Sequence, residues 1–555
     1  MMVNEPENIP TIGWRGDLED VDPVAEVDKK IEDAEYQVVL LKRERNSRLP
    51  ISRLPVEIFA EIFIYLTPKV SRIPWIRRRW GSKRRAIEWL FFTHVCHAWR
   101  TTALNQSSLW TCPDWYIPDL GYTMIERAKH SALHIAITEC LGHDILHTIQ
   151  NQIGRIETLI IMVTDDNYTS ALQGFITSLV QPAPRLRSIN FHAEVDQKLS
   201  FPSHFLALDT PLLKDISLYR CHVPWRSPVL ENLTSLVLSG NNSDLPSGQQ
   251  FLETLRHMPS LHELELNCTA PRIIEGSEVV DLPQLRLLSL WDNSTSCGHV
   301  LKHITFPSSA VVKLYCNRNL GGLDPQKPLW SSLAEKYHQR HGTMTAISLY
   351  FEIDEFDADL FFEWWNTSSV PMPAHHRFRD HFGPPLLELS LSHSSDNDTA
   401  WQADVKGALE SVSLASIEVV HIGGFLQGGQ HSDDAEGLFT TSFGALLWSS
   451  KLTKLSSSGY DWSIHLACAL APHDAAQRGS SSSSRIPFPS LISLSLASFY
   501  ETSETEGIVG KLLQTLESRK TCGHQLECLT LKNCKGLAEE HVLALKRVVR
   551  DVDVV

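Results

Sequence analysis

Residues 213–221 read Leu213-Lys214-Asp215-Ile216-Ser217-Leu218-Tyr219-Arg220-Cys221. Apolar side chains stand at the first, fourth and sixth places, and a cysteine closes the frame three places later. Ile216 and Leu218, two residues apart, share one face of an extended chain. The same frame recurs on the C-terminal side as Leu233, Leu236, Leu238 with Asn241, then Leu261, Leu264, Leu266, then Leu285, Leu288, Leu290 with Asn293. Val311, Leu314 and Cys316 with Asn319 continue the series, and Leu526, Leu529, Leu531 with Cys534 repeat it near the end. Looser copies centre on Leu159, Ile189, Ile347, Leu389, Val420, Leu455 and Leu494, making thirteen centres.

One such frame arises easily by chance in a leucine-rich chain; thirteen in series do not. The first six gaps run from 20 to 30 residues, in or near the ~20–29 residues of a leucine-rich repeat. In that architecture a short strand contributes its Leu residues to a continuous core, and the chain returns by a helix or an irregular arc. The Asn or Cys would satisfy backbone groups where the chain turns. The expected fold class is therefore α/β, an irregular leucine-rich-repeat solenoid over 150–555 with insertions near 351–382, 423–437 and 472–488. An α/β domain whose strands merely recur is the alternative. Ligand contacts are expected on the concave strand face, at positions alternating with the Leu frame. Tyr219, Trp291, Tyr315, Tyr350 and His421 are the candidates there, each weighed against being a solvated or partly packed residue.

The whole chain has 555 residues, too many for one compact core. Its 43% apolar and 21% charged residues are those of a folded soluble protein. The net charge of −15 argues against general nucleic-acid binding. The start, MMVNEPENIPTIGW, has no apolar core of a secretory signal, and no run approaches the ~18 apolar residues of a membrane span. Eleven irregularly spaced cysteines fit reduced thiols, so cytosol or nucleus is the expected setting.

Residues 1–22 are acidic with Pro and Gly, and are expected to be a disordered tail. Asp22-Pro23 then opens a helix over 23–48. Val24, Val27, Ile31, Ala34, Val38 and Leu41 follow at alternating spacings of 3 and 4, the period of a coiled-coil seam, which fails at Arg45. The expectation is one helix packing on its own domain, with a short dimeric coiled coil as the alternative.

The next stretch, ISRLPVEIFAEIFIYLTP (Ile51–Pro68), starts a helix at Leu54-Pro55 and ends it at Thr67-Pro68. Ile58 and Ile62 form one i,i+4 row, and Phe59, Phe63 and Leu66 form another beside it. Together they cover more than the ~100° apolar stripe of a surface helix. A basic insertion at 69–86 follows, with Arg77, Arg78, Arg79, Lys83, Arg84 and Arg85 around Trp80. A second helical block, AIEWLFFTHVCHAWRTTAL, places Ile87, Leu90, Phe91, Val95, Ala98 and Trp99 on overlapping faces and closes at Leu109-Trp110.

LPVEIFAEIFIYL, then HVCHAWR, then SSLW, resembles the F-box, most of all that of fungal F-box proteins with leucine-rich repeats downstream. The matching positions are Leu54, Pro55, Glu57, Ile58, Ile62, Phe63 and Leu66, then Val95, Cys96, Trp99 and Arg100, then Leu109 and Trp110. The resemblance covers about 51–110 and implies an F-box domain at 50–112; the insertion at 69–86 is longer than the family usually carries. It implies a noncatalytic, substrate-recognition subunit of an SCF-type ubiquitin ligase. The F-box would bind the Skp-type adaptor, linked to a cullin-RING ligase, and the repeats would hold a protein substrate. The adaptor contacts expected are Leu54, Pro55, Ile58, Ile62 and Val95, with Trp99 internal. A leucine-rich-repeat scaffold without a ligase role is the alternative.

Other clusters carry less. Arg77–Arg85 reads as a solvated loop before it reads as an import signal or phosphate patch. Cys522, His524, Cys528 and Cys534 invite zinc, but Cys528 falls inside a repeat frame and Cys534 at the repeat's own Asn/Cys place. His375, His376, Asp380 and His381 read no better, and no metal or cofactor is expected. The Gly pairs at 321–322, 423–424 and 428–429 read as loops, and no phosphate-cradling loop, nucleophile elbow or metal-helix motif is present.

Overall fold

The computed structural model describes residues 23–67, 89–137, 142–163, 165–193, 199–240, 246–271, 278–317, 327–338, 344–353, 357–366, 385–394, 400–426, 442–471, 486–498, 508–534 and 536–555. The acidic segment 1–22, the basic insertion 69–86, the His cluster at 375–381, Asn241, Asn319 and the whole of the segments 367–382, 427–437 and 472–485 lie outside the described residues. The protein is mixed α/β: an N-terminal helical segment precedes a large, mostly parallel sheet. Two compact units divide the chain at Leu133/His134.

In the first unit, helix Pro23–Ser47 begins where Asp22-Pro23 predicts, and from Val24 onward it is exposed save at Asn46. Among the described residues the expected packing of this helix on its own domain is not found. A 3-10 turn, Pro50–Arg53, leads to helix Val56–Leu66, with Pro55 in extended conformation at its N-cap. The second helical block is not one helix. It is a 3-10 turn, Trp89–His94, then an extended Cys96, then helix His97–Asn105. In a 3-10 turn residues three apart eclipse, so Trp89 and Phe92 go inward together and Phe91 is left outside. A further 3-10 turn, Ser107–Trp110, and helix Pro118–Arg127 complete the unit. Its core is aromatic: Phe63 stacks on Phe92 at 4.4 Å, Trp99 lies 5.5 Å from Phe59 and 5.4 Å from Phe63, and Trp89 lies 5.5 Å from Trp110. Trp110 donates its Nε1–H to the Ala103 carbonyl at 2.9 Å, and Arg127 lies over its ring at 4.6 Å, so the unit runs past the expected boundary at 112.

The strands are β1 Leu133–Ile137, β2 Ile156–Val163, β3 Ser188–Ala193, β4 Leu199–Ser200, β5 Asp215–Tyr219, β6 Cys221–His222, β7 Ser235–Ser239, β8 Glu263–Asn267, β9 Val280–Asp281, β10 Leu287–Asp292, β11 Ile304–Thr305, β12 Val311–Asn317, β13 Ala346–Ile353, β14 Asp357–Trp365, β15 Leu387–Ser394, β16 Val419–Leu426, β17 Lys454–Ser458, β18 Ser493–Ala497, β19 Cys528–Lys532 and β20 Asp551–Val554. Sixteen form one sheet in the order β1-β2-β3-β5-β7-β8-β10-β12-β15-β14-β13-β16-β17-β18-β19-β20, while β4/β6 and β9/β11 form two small parallel ribbons. From β2 to β20 every pairing is parallel except the two made by β14. The sheet therefore starts at Leu133, before the expected position 150.

All thirteen sequence centres fall in strands. One in-register row of buried side chains crosses the sheet: Leu159, Ile189, Ile216, Leu236, Leu264, Leu288, Val312, Leu387, Trp364, Ile347, Val420, Leu455, Leu494, Leu529 and Val552. Two centres are corrected by this register. Leu314 and Leu389 belong to the next row, opposite Leu290, because their frames slip by two residues; a two-residue slip keeps the same face, so both remain core. Helices cover this face, as where Phe351 stacks on Trp462 of helix Tyr460–Ala469 at 4.6 Å.

Two expected insertions are corrected in part. Residues 357–365 are β14, whose Leu360, Phe362 and Trp364 enter the core while Asp359, Phe361 and Glu363 alternate outward. Gly423 and Gly424 lie within β16, not in a loop. At Gly424 φ is +123° and a Cβ would stand 1.8 Å from the Phe351 carbonyl oxygen, so only glycine fits this pairing.

The turn after the strand is also regular. Arg220, Gly240, Cys268, Ser498 and Asn533, each just past a strand, have positive φ. Their N–H groups donate to the end of the next strand, to Ser239, Asn267, Trp291, Lys532 and Val555. The Asn/Cys expectation holds where it is described. Asn293 caps helix Ser294–His303 by accepting from the Ser296 N–H at 2.8 Å. The Cys221 and Cys534 thiols each donate to the carbonyl two residues earlier, at 3.4 Å, and burial pushes the Cys221 thiol up to about 12, holding it protonated for that bond.

Candidate functional site

In the first unit, helix Val56–Leu66 keeps Phe59 and Phe63 inside and leaves the Ile58–Ile62 row outside, together with Leu66, the last residue of the aromatic row. Phe59 and Phe63 are buried against Phe92 and Trp99. Ile58 and Ile62 are exposed to 45% and 40% of their surface. Leu54, Pro55 and Val95 are exposed as well, so all five expected adaptor contacts stand outside the core of the isolated chain. Trp99 is half-buried between Phe59 and Phe63, which makes it internal as expected. Leu109 and Trp110 are core.

Sequence reasoning missed other members of the exposed apolar set: Ile51, Val56, Tyr65, Leu66 and Phe91. Phe91 was legible in principle. Of the adjacent pair Phe91-Phe92 only one ring can face a core built on Phe63, and the 3-10 spacing from Trp89 selects Phe92.

In the second unit, the sheet face opposite the covering helices carries the other candidates. Register aligns them in one row: His192, Tyr219, Ser239, Asn267, Trp291, Tyr315, Ser390, Phe361, Tyr350, Gly423 and Ser458. Tyr219 stacks on His192 at 4.2 Å, Trp291 lies 5.5 Å from Tyr315, and Tyr350 lies 6.3 Å from Phe361. Trp291 is half exposed; Tyr219, Tyr315 and Tyr350 are partly covered. His421 is in the neighbouring row and is buried. Its Nδ1 lies 2.9 Å from the Ser456 hydroxyl and its Nε2 3.1 Å from the Ser458 hydroxyl, so both ring nitrogens are engaged within the sheet. That corrects its expected role as a presented contact.

The neighbouring row is rich in carboxylates, which periodicity alone did not reveal. Glu265, Lys313, Glu388 and Glu363 are successive outward positions, with Ser289 between the first two strands. Lys313 approaches Glu388 at 3.8 Å, and Glu388 accepts from the Tyr315 hydroxyl at 2.8 Å. Burial, and then the neighbouring Glu263 charge, hold the Glu265 carboxyl above the usual range against the opposing pull of Lys313. A ring row beside a carboxylate row can hold a cation together with its apolar stem.

Among the described residues no group of three or more His, Cys, Asp or Glu side chains gathers as metal ligands. His524 is engaged with the Pro489 carbonyl at 2.7 Å, and Cys528 lies in β19. No described helix is long and apolar enough to cross a membrane. Comparison with known proteins found no family model that matches the chain and no curated protein similar to it in sequence.

Proposed function

We propose that this chain is the substrate-recognition subunit of an SCF-type ubiquitin ligase. Its F-box-like segment docks a Skp-type adaptor, and its strand face holds a target protein. The observation that carries the reading is the split of helix Val56–Leu66. The aromatic row closes a small core by itself, and an aliphatic row beside it, Ile58 and Ile62 with Leu54, Pro55 and Val95, is left in water. A short helix that leaves this many anchors uncovered suits a helical partner groove. The reading of the second unit as a leucine-rich-repeat solenoid is supported by sequential strand neighbours, the recurring left-handed turn after the strand and the capping at Asn293.

The mechanism is proximity. Holding a target near a charged ligase raises the effective concentration of its lysines and requires no active-site residue on this chain. The rows Tyr219–Trp291–Tyr315–Tyr350 and Glu265–Glu388–Glu363 favour a target segment bearing Lys or Arg beside apolar groups. The test is co-purification of the full chain with the adaptor, with and without Ile58→Asp and Ile62→Asp together. Loss of the adaptor from a variant that melts like the parent supports the ligase role. Retention, or no complex with the parent chain, favours an interaction scaffold outside any ligase.

A further inference from the structure

Helix Pro23–Ser47 is 25 residues long, about 37 Å at 1.5 Å per residue, and its seam is uncovered from end to end. Val24, Val27, Ile31, Val38 and Leu41 are all exposed, Leu41 to 64%. A seam with the 3.5-residue period is the face a second helix covers. The charges say which helix and in which direction. Residues 26–35 hold five acids, Glu26, Asp28, Glu32, Asp33 and Glu35, against Lys29 and Lys30; residues 36–47 hold Lys42, Arg43 and Arg45 against Glu44 alone.

We propose that this helix pairs with the same helix of a second copy of the chain, in antiparallel orientation. Setting Ile31 against Leu41 of the second copy also sets Val38 against Ala34, so the four central layers are apolar at once, while Val27 meets the stem of Arg45 at the two ends, where the charged head can reach water. In that register the flanking positions place Asp28 beside Lys42, and Lys30 beside Glu44, of the other copy. Two-fold symmetry doubles each pair, giving four attractive contacts. Only Glu35, near the axis, meets its own kind. The parallel arrangement would keep Lys30 beside Glu35 but would bury Arg45 against Arg45. The contacts that Lys30 and Glu44 make in the single chain, with Glu26 and Arg48, are exposed pairs within one helix and rearrange at little cost. The inference does not rest on the adaptor reading, since the seam lies outside the F-box-like segment.

The test is sedimentation of the purified full-length chain over a dilution series. The expected result is a monomer–dimer equilibrium that Ile31→Lys abolishes. Because position 31 touches no folded core, the melting curve of the variant should match the parent and exclude misfolding as the cause. Orientation is read by charge reversal. Asp28→Lys and Lys42→Glu each weaken the dimer by roughly tenfold, and the double variant regains parental affinity, as a direct pair requires. A chain monomeric at every concentration overturns the proposal and assigns the seam to a different protein. A dimer that survives Ile31→Lys overturns it too, and single reversals that fail to compensate each other overturn the antiparallel register.

Discussion

On the reading proposed above, the exposed aliphatic row would make adaptor binding separable from folding, and the separation can be given a size. Ile58 and Ile62 keep 45% and 40% of their surface in water. Complete burial of an isoleucine is worth about 1.5–3 kcal/mol, so covering these exposed parts contributes roughly 1.3–2.5 kcal/mol for the pair. Replacing both by Ala removes most of that, a weakening of roughly ten- to sixtyfold in Kd. Neither side chain forms the aromatic core of Phe59, Phe63, Phe92 and Trp99, so folding stability should fall only by the worth of the parts already covered, roughly 1–2 kcal/mol per site, well short of emptying that core. The assay is paired: isothermal titration of the purified chain with a Skp-type adaptor, and a thermal melt of the same samples. A Kd within twofold of the parent would remove Ile58 and Ile62 from any docking role. A melt that collapses together with binding would show that these residues hold the unit together and would refute the division of the helix into two rows.

Three further perturbations follow from the packing. Phe63→Ala empties a fully buried site stacked at 4.4 Å on Phe92 and should cost about 3–5 kcal/mol in urea unfolding of the first unit, more than the change at either Ile58 or Ile62. Gly424→Ala would drive a Cβ to 1.8 Å from the Phe351 carbonyl at a φ of +123°, so a lower melting temperature is expected for the second unit; an unchanged melt would mean that β13 and β16 do not pair as described. Glu265 has a carboxyl held above its ordinary range, so the folded chain binds that proton more tightly than the unfolded chain. The stability it contributes is present at low pH and is lost as pH rises through the raised value. Glu265→Gln should therefore raise the melting temperature at neutral pH and give little gain below the ordinary carboxylate pKa of about 4.3; an equal gain at both pH values would rule out the charge as the cause.

The strands were legible because an outward-inward alternation with Leu at the inward places is a local signal, and each of the thirteen centres carries it within six residues. β14 carries the same alternation, Leu360, Phe362 and Trp364 against Asp359, Phe361 and Glu363, but its acids and its departure from the Leu frame disguised it as an insertion. Register was not legible. A frame slipped by two residues at Leu314 or Leu389 buries the same face, so nothing local distinguishes the alternatives, and only the pairing partners do. The left-handed turns were hidden for a different reason: four of the five are occupied by Arg220, Cys268, Ser498 and Asn533, and only Gly240 is the glycine that usually announces such a conformation. At the N-terminal end the two rows of helix Val56–Leu66 were visible as rows, yet which one faces inward depends on Phe92 and Trp99, some thirty residues away.

The ring row on the sheet exists because the strand order is broken once. From β12 the chain passes over two places, lays down β13, returns by β14 and closes the gap with β15. Were β13 simply the next neighbour of β12, Tyr350 would still follow Tyr315, but Phe361 and Ser390 would not lie between them, and Glu363 and Glu388 would not extend the carboxylate row. The detour places β14, with Asp359, Phe361 and Glu363 outward, and β15, with Glu388 and serines outward, in the middle of the face, at the point where sequential order reverses. It can do so only because their inward positions, Leu360, Phe362, Trp364, Leu387, Leu389 and Leu391, continue the buried rows without a gap. Core and surface of this hairpin are therefore set by alternate residues of the same strands, and substitutions at Tyr350, Phe361 or Glu363 can change the chemistry of the outward face while the buried half of the pattern keeps the sheet intact.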